Sequence, residues 1–235
     1  MLADPWLFVD CETSPDLRTT PSIAKVRPPK NYTVEQSIRE YKEKNAYKHW
    51  ADEAKSRALA QVNIVCLALE DEPIVNIVSA DERDVFDQLN KAWVQRARPS
   101  TWCAFYGMGF DFWILGMRAA RHGFVDLSRS LLPRHPRYPD EHHRDPFLQL
   151  GNEGSLDEWA KFWTGYQRKC VAPPEWEQRI LKELKRPSHD ELQPFELARN
   201  GRPDLALGKC LEDVLMLRDH IVKPMRTAGL YGDPR

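Results

Sequence analysis

A short apolar run, Trp6-Leu7-Phe8-Val9, stops at Asp10-Cys11-Glu12. The run reads as a buried strand with acidic residues at its C-terminal end. Residues two apart on a strand project to the same side, so both carboxylates leave the strand together. In an open α/β sheet, ligands bind at that edge. A chain that begins this way is constrained to bury its first strand and keep one end of it polar.

The rest of the chain supplies a cover for such a strand. Residues 13–30, rich in Pro, Thr and Arg, read as a loop. Residues 33–60 are very polar and helix-forming, with Thr33 and Gln36 at the spacing of a capping box. Two apolar, β-branched runs, 62–69 and 74–78, flank Glu70-Asp71-Glu72-Pro73 and predict an antiparallel hairpin. Residues 81–97 form an amphipathic pattern with Val85, Phe86, Leu89 and Trp93 on one side. A strand over 101–106 is followed by Gly107-Met108-Gly109, which turns the chain into a helix from near Phe110 to Gly123. A loop rich in His, Arg and Pro occupies 133–144. Ser155 and Glu158 mark the start of a helix over 155–163, a short helix falls within 173–187, and a last one over 205–222 ends just before Pro224. Strands come early and helices cover them, which predicts an α/β fold: one domain over 1–235, a mixed β-sheet flanked by helices, with 13–60 as an insertion.

Composition narrows the function classes. Lys+Arg 34 against Asp+Glu 35 gives a net charge of −1, which argues against a protein that coats nucleic acid. It does not argue against an enzyme whose bound cations meet the phosphates. The five cysteines, Cys11, Cys66, Cys103, Cys170 and Cys210, include no CxxC pair and suggest neither a disulfide framework nor a zinc knuckle. The N-terminus carries no signal-peptide pattern, and no run of 18 apolar residues exists. The expectation is an intracellular, cytoplasmic protein with no membrane span.

Two further acids sit at informative places. Asp111 follows a second strand and a Gly-containing turn and opens a helix, and Asp213 lies among Leu211, Val214, Leu215 and Leu217. An acid among apolar neighbours needs a partner. Two carboxylates about 4 Å apart repel by roughly 4 kcal/mol at an effective dielectric near 20, so four in one pocket hold either protons or cations. Oxygen ligands select Mg²⁺ or Mn²⁺, and two such ions form a clamp for phosphoryl transfer. The alternative is that each acid is the solvated end of its own element.

Three ordered stretches resemble the motifs of the DEDD superfamily of 3′–5′ exonucleases, which have the ribonuclease-H-like fold. Phe8-Val9-Asp10-Cys11-Glu12-Thr13 is similar to the first, an apolar strand carrying Asp-x-Glu. Phe105-Tyr106-Gly107-Met108-Gly109-Phe110-Asp111-Phe112-Trp113-Ile114-Leu115 is similar to the second, Asn-Gly-x-x-Phe-Asp running into a helix. Lys209-Cys210-Leu211-Glu212-Asp213-Val214 is similar to the third, Tyr-Cys-x-x-Asp-Val. Within the superfamily the chain looks most like the stand-alone exonucleases related to the proofreading domain of B-family DNA polymerases. Pro28-Pro29-Lys30-Asn31-Tyr32, the segment from Arg137 to Asp145, and Gly154-Ser155-Leu156-Asp157-Glu158 support that subgroup.

The resemblance implies a two-metal exonuclease acting on single-stranded DNA ends, with RNA as the alternative substrate. It implies that Asp10, Glu12 and Asp213 hold the first ion, that Asp10 with Asp111 places the second, and that Glu12 contacts the terminal 3′-hydroxyl. Thr13, Tyr106 and Phe110 belong to the motifs that hold the nucleic acid, and Lys25, Arg27 and Lys30 in the insertion are candidates for its backbone. Two departures stand out. The third motif carries a Tyr four residues before its Asp, or a His five before, to handle the attacking water; this chain has Lys209 and Gly208. The second motif has Asn where this chain has Tyr106. Lys209 could bind the scissile phosphate or, with a depressed pKa, move the water proton. It could also pair with Asp213 as an i,i+4 neighbour and leave a weakened, accessory nucleic-acid binder.

Other candidates are His135, His142 and His143 among Arg134, Arg137 and Arg144, read as a solvated or phosphate-facing loop rather than a metal site. Asp145, which ends that loop, is an outer-shell acid or a helix cap. Trp102, Trp113, Trp159, Trp163 and Trp176 are read as core before stacking platforms.

Overall fold

A computed structural model describes residues 5–16, 18–96, 98, 101–135, 138–167 and 203–231. The chain divides into two compact units, one of Met1–Glu12 with Val62–Arg235, the other Thr13–Gln61.

The first unit is built on a five-stranded sheet in the order β3-β2-β1-β4-β5. These strands are β1 (Trp6–Ser14), β2 (Gln61–Leu69), β3 (Val75–Val78), β4 (Thr101–Cys103) and β5 (His143–Arg144). β2 and β3 pair antiparallel, with Ile64 opposite Val78. β1 and β4 run parallel, with Phe8 opposite Cys103, and β4 and β5 run parallel, with Trp102 opposite His143. The sheet is therefore mixed and flanked by helices, the α/β class expected.

The helices are α1 (Glu35–Asp52), in the second unit, and α2 (Glu82–Gln95), α3 (Asp111–Arg121), α4 (Val125–Leu131), α5 (Pro146–Gln149), α6 (Leu156–Thr164) and α7 (Pro203–Leu215) in the first. A π-helical stretch, Met216–Val222, continues α7 into α8 (Lys223–Thr227). The amphipathic pattern of α2 is realised: Val85, Phe86, Leu89 and Trp93 are buried, and Asp81 caps the helix by accepting from the Arg83 amide at 2.9 Å. At α6 the capping box is complete. Ser155 Oγ accepts from the Glu158 amide at 3.2 Å, while the Glu158 carboxylate accepts from the Ser155 amide at 2.6 Å.

One face of β1 packs against the α6–α7 side of the molecule. Trp6 and Phe8 share a buried cluster with Ala160, Ala206, Cys210, Val214 and Leu217. Cys210 Sγ reaches the Asp10 carbonyl at 3.4 Å and ties α7 to the strand. On the other side, a buried ion pair braces three elements. The Glu82 carboxylate accepts from the Val62 amide at 2.8 Å, from both Arg118 Nε and the Arg118 terminal nitrogen, and meets His122 Nε2 at 2.8 Å.

The structure departs from the sequence-based expectations in five places. β1 does not stop at the acids but runs through Ser14, so Asp10 and Glu12 lie inside the strand. The Thr33 capping box does not form, because α1 begins after Val34, which has no side-chain bond. The strand expected over 101–106 ends at Cys103, and the residues after it form a turn. The end of the 133–144 loop supplies the edge strand β5, a two-residue piece with no periodicity to read. Pro224 does not mark the end of the last helix: it sits at the start of α8, directly after the π-helical stretch. The helix expected over 173–187 lies outside the described residues.

Candidate metal centre

The alternation of β1 determines what its acids face. Trp6, Phe8, Asp10 and Glu12 share one face of the strand. Trp6 and Phe8 lie in the cluster that includes Cys210 and Val214 of α7. The same face, continued along the strand, brings Asp10 and Glu12 toward Asp213, which lies on α7 between Cys210 and Val214 on one side and Met216 on the other. Asp10, Glu12 and Asp213 each offer a carboxylate oxygen, and these atoms lie within 4.8 Å of one another. All three are half-buried.

Asp111 approaches from elsewhere. It is the first residue of α3 and is buried. Its Oδ1 accepts from the Cys11 amide at 3.3 Å and from the Cys11 thiol at 3.2 Å. Asp111 is therefore engaged with Cys11 and is not one of the three converging acids. It is still close enough for its charge to act on Asp10.

The electrostatics are those of acids forced together. Burial first, then the charges of Asp213, Asp111 and Glu12, hold the Asp10 carboxyl well above the usual carboxylate range, against one hydrogen bond from Cys210. Burial pushes Asp111 up to about 7 despite the two donors of Cys11. Burial also pushes the Cys11 thiol up, so it remains a thiol that can donate. Asp10 Oδ2 is buried and has no hydrogen-bond partner. A buried polar atom is seldom left so. Three oxygen donors around an unsatisfied carboxylate oxygen fit a hard divalent cation, which would supply the missing partner and reverse the repulsion.

The turn between β4 and α3 is shaped by Asp145, the acid that ends the histidine loop. Its Oδ1 accepts from the Tyr106 amide at 2.9 Å, and its Oδ2 from the Met108 amide at 2.9 Å. It also caps α5 through the Phe147 amide at 3.1 Å. Asp145 is almost wholly buried, and burial raises its pKa to about 6 in spite of these donors. The helix-cap role expected from the sequence is thus present, and the same carboxylate also holds the turn at Tyr106 and Met108. With the amide held, Tyr106 takes a left-handed backbone, φ 60°. Its ring stays half exposed and lies over Gly109, where an added Cβ would come within 2.2–2.5 Å of ring atoms.

The remaining predicted residues fall as follows. Phe110 is the half-buried residue preceding α3. Lys209 is half-buried on α7, one turn before Asp213. Thr13 donates from Oγ1 to the Ala54 carbonyl at 2.6 Å within the second unit, and Lys30 is exposed there. His143 is buried, its ring between Asp140 Oδ1 at 2.7 Å and the Leu131 carbonyl at 2.9 Å, which is a structural role. Among the described residues the histidines form no metal-binding group. Trp102 is fully buried, Trp159 and Trp163 pack on the core, and Trp176 lies outside the described residues. Sequence reading missed Tyr166, whose hydroxyl donates to the Glu212 carboxylate at 2.7 Å and whose ring stacks on His220 at 4.0 Å. The partners are 46 residues apart, and no spacing rule connects them.

No protein-family model matches the chain, and no curated protein matches it. A solved structure, the family B DNA polymerase from the hyperthermophilic archaeon Pyrobaculum calidifontis, is similar to it with a TM-score of 0.48 and 14% identity, over 91% of this chain and 24% of that one. The chain spans about a quarter of that polymerase, and at this level the likeness bears on neither activity nor ligands. No helix among the described residues is long and apolar enough to cross a membrane.

Proposed function

We propose that the protein is a metal-dependent 3′–5′ exonuclease that removes nucleotides from single-stranded DNA ends. The observation that carries this reading is the convergence of Asp10, Glu12 and Asp213 around a buried Asp10 oxygen with no hydrogen-bond partner. In this reading Asp10, Glu12 and Asp213 hold one Mg²⁺ or Mn²⁺, and Asp10 with Asp111 holds a second. Bound there, the ions would acidify water and neutralise charge on the phosphate.

The chain's own residues would do the rest. Glu12 contacts the terminal 3′-hydroxyl. The exposed Tyr106 ring and Phe110 hold the terminal nucleotide, and Asp145 keeps their turn in shape. Lys209, one turn before Asp213, binds the scissile phosphate or takes the proton of the attacking water. Polarity and sugar rest on the motif resemblance. Lys209 itself favours a second reading, a nucleic-acid binder that kept the fold and lost the water-handling residue.

The test is cleavage of 5′-labelled single-stranded DNA and its RNA counterpart with Mn²⁺, with Mg²⁺ and with chelator. The expected result is a metal-dependent ladder shortening from the 3′ end of DNA, absent in Asp10→Ala. Binding without cleavage, with activity gained in Lys209→Tyr, would establish the second reading instead.

A further inference from the structure

The second unit contains a groove that the proposed exonuclease site does not use. It has a volume of about 800 Å³, within the range of sites that hold a small ligand or a short stretch of one. It is lined by the segment Ala24–Arg27, by the face of α1 that carries Tyr41, Asn45, Lys48, His49 and Asp52, and by Glu53 and Leu59 beyond that helix.

The walls are pinned before any ligand arrives. Ser22 caps the short turn Ile23–Lys25 by accepting from the Ala24 amide at 3.3 Å. Val26 is buried, so its neighbours Lys25 and Arg27 are turned outward and are exposed. The loop is fastened to α1 through Trp50 Nε1, which donates to Thr19 Oγ1 at 3.0 Å. Tyr41 is held by edge contact with Tyr32, ring centres 5.1 Å apart.

The charge in the groove is unevenly matched. Glu53 pairs with Lys25 at 2.9 Å, and Asp52 with Lys55 at 3.7 Å. Both acids are thus answered by cations. Arg27 and Lys48, both exposed, have no carboxylate partner among the described residues, and His49 stands beside them. Two surplus cations, an aromatic ring and an amide in a concave, preformed groove are the elements with which proteins follow a single strand: cations for the phosphates, a ring for a base.

We propose that this groove binds the phosphodiester backbone of a single-stranded nucleic acid, with Arg27 and Lys48 on phosphates and Tyr41 against a base. The inference rests on the reading of the protein as a single-strand exonuclease and extends it by giving the insertion a strand-binding role of its own.

The test uses the full chain carrying Asp10→Ala, so that nothing is cleaved. Binding of fluorescent oligothymidylate is followed by anisotropy over a range of KCl concentrations. In the Arg27→Ala/Lys48→Ala variant the affinity should fall about tenfold, and the slope of log affinity against log salt should shrink by about 1.4, as expected for two lost phosphate contacts on a single strand. Arg27→Lys/Lys48→Arg should keep the parent slope. An unchanged affinity and slope in the alanine variant would overturn the proposal. So would failure of the parent to bind, or equal competition by polyglutamate. Cleavage in the otherwise wild-type chain separates the two readings. Loss of binding without any cleavage in wild type keeps the groove and removes the exonuclease. Normal cleavage with unchanged binding removes the groove alone.

Discussion

Asp10 concentrates the electrostatic cost of the site. Burial and three neighbouring acids all disfavour its charge, and only Cys210 offsets them. A carboxylate in that position is explicable by a ligand and costly without one. Asp10→Asn keeps the shape, removes the charge and adds two donors among acceptors. The metal-free variant should therefore melt higher than the metal-free wild type, by about 2–4 °C for each kcal/mol relieved. A lower melting temperature would show that the acids do not repel as described. The identities of Asp10, Glu12 and Asp213 were legible from their motifs. What the sequence could not show was that Asp111 would turn to Cys11, because a thiol next to an acid on a strand carries no pattern that names its partner.

At the scale of elements, the turn from β4 to α3 separates two kinds of glycine. A Cβ on Gly107 would lie 2.7 Å from the Phe112 ring and 2.8 Å from the Ala104 Cβ, both buried. The atoms nearest a Cβ on Gly109 all belong to the half-exposed Tyr106 ring, the far end of a side chain that can shift more readily than the buried core. Gly107→Ala should cost about 1–3 kcal/mol by overpacking, while Gly109→Ala should leave urea stability nearly unchanged and alter binding of a single strand. Equal losses in the two would contradict this account. The loop before β5 gives a pH prediction. Burial works against the charge on Asp140, but donors from the Arg134 amide, His143 and the His142 amide prevail and bring it to about 2. A folded pKa below the unfolded value adds stability above about pH 4 that is lost as pH falls toward 2. Asp140→Asn should thus be less stable than wild type at neutral pH, and the gap should close by about pH 2. β5 itself was invisible in the sequence, since His143-Arg144 is polar, short and ordered by β4 and Asp140 rather than by any pattern of its own.

Across the whole molecule, the fold class was legible because strands and helices announce themselves by period, and the early strands could be covered only by later helices. Where the reading failed, the cause was local. Val34 rather than Thr33 precedes α1, and the π-helical stretch carries the chain past the point where Pro224 suggested an end. A cation bound only by the folded chain stabilises it by mass action, about 2.7 kcal/mol at a hundred times its dissociation constant. Mn²⁺ should accordingly raise the melting temperature of wild type and not of Asp10→Asn, and chelator should reverse the rise. An equal rise in both would place the ion elsewhere.

The bond from Cys210 to Asp10 spans 200 residues of chain. Asp10 and Glu12 are synthesised about 200 residues ahead of Asp213. During synthesis the first two acids leave the exit tunnel long before their partner exists. The nascent protein thus carries no complete cation site until α7 has emerged and docked.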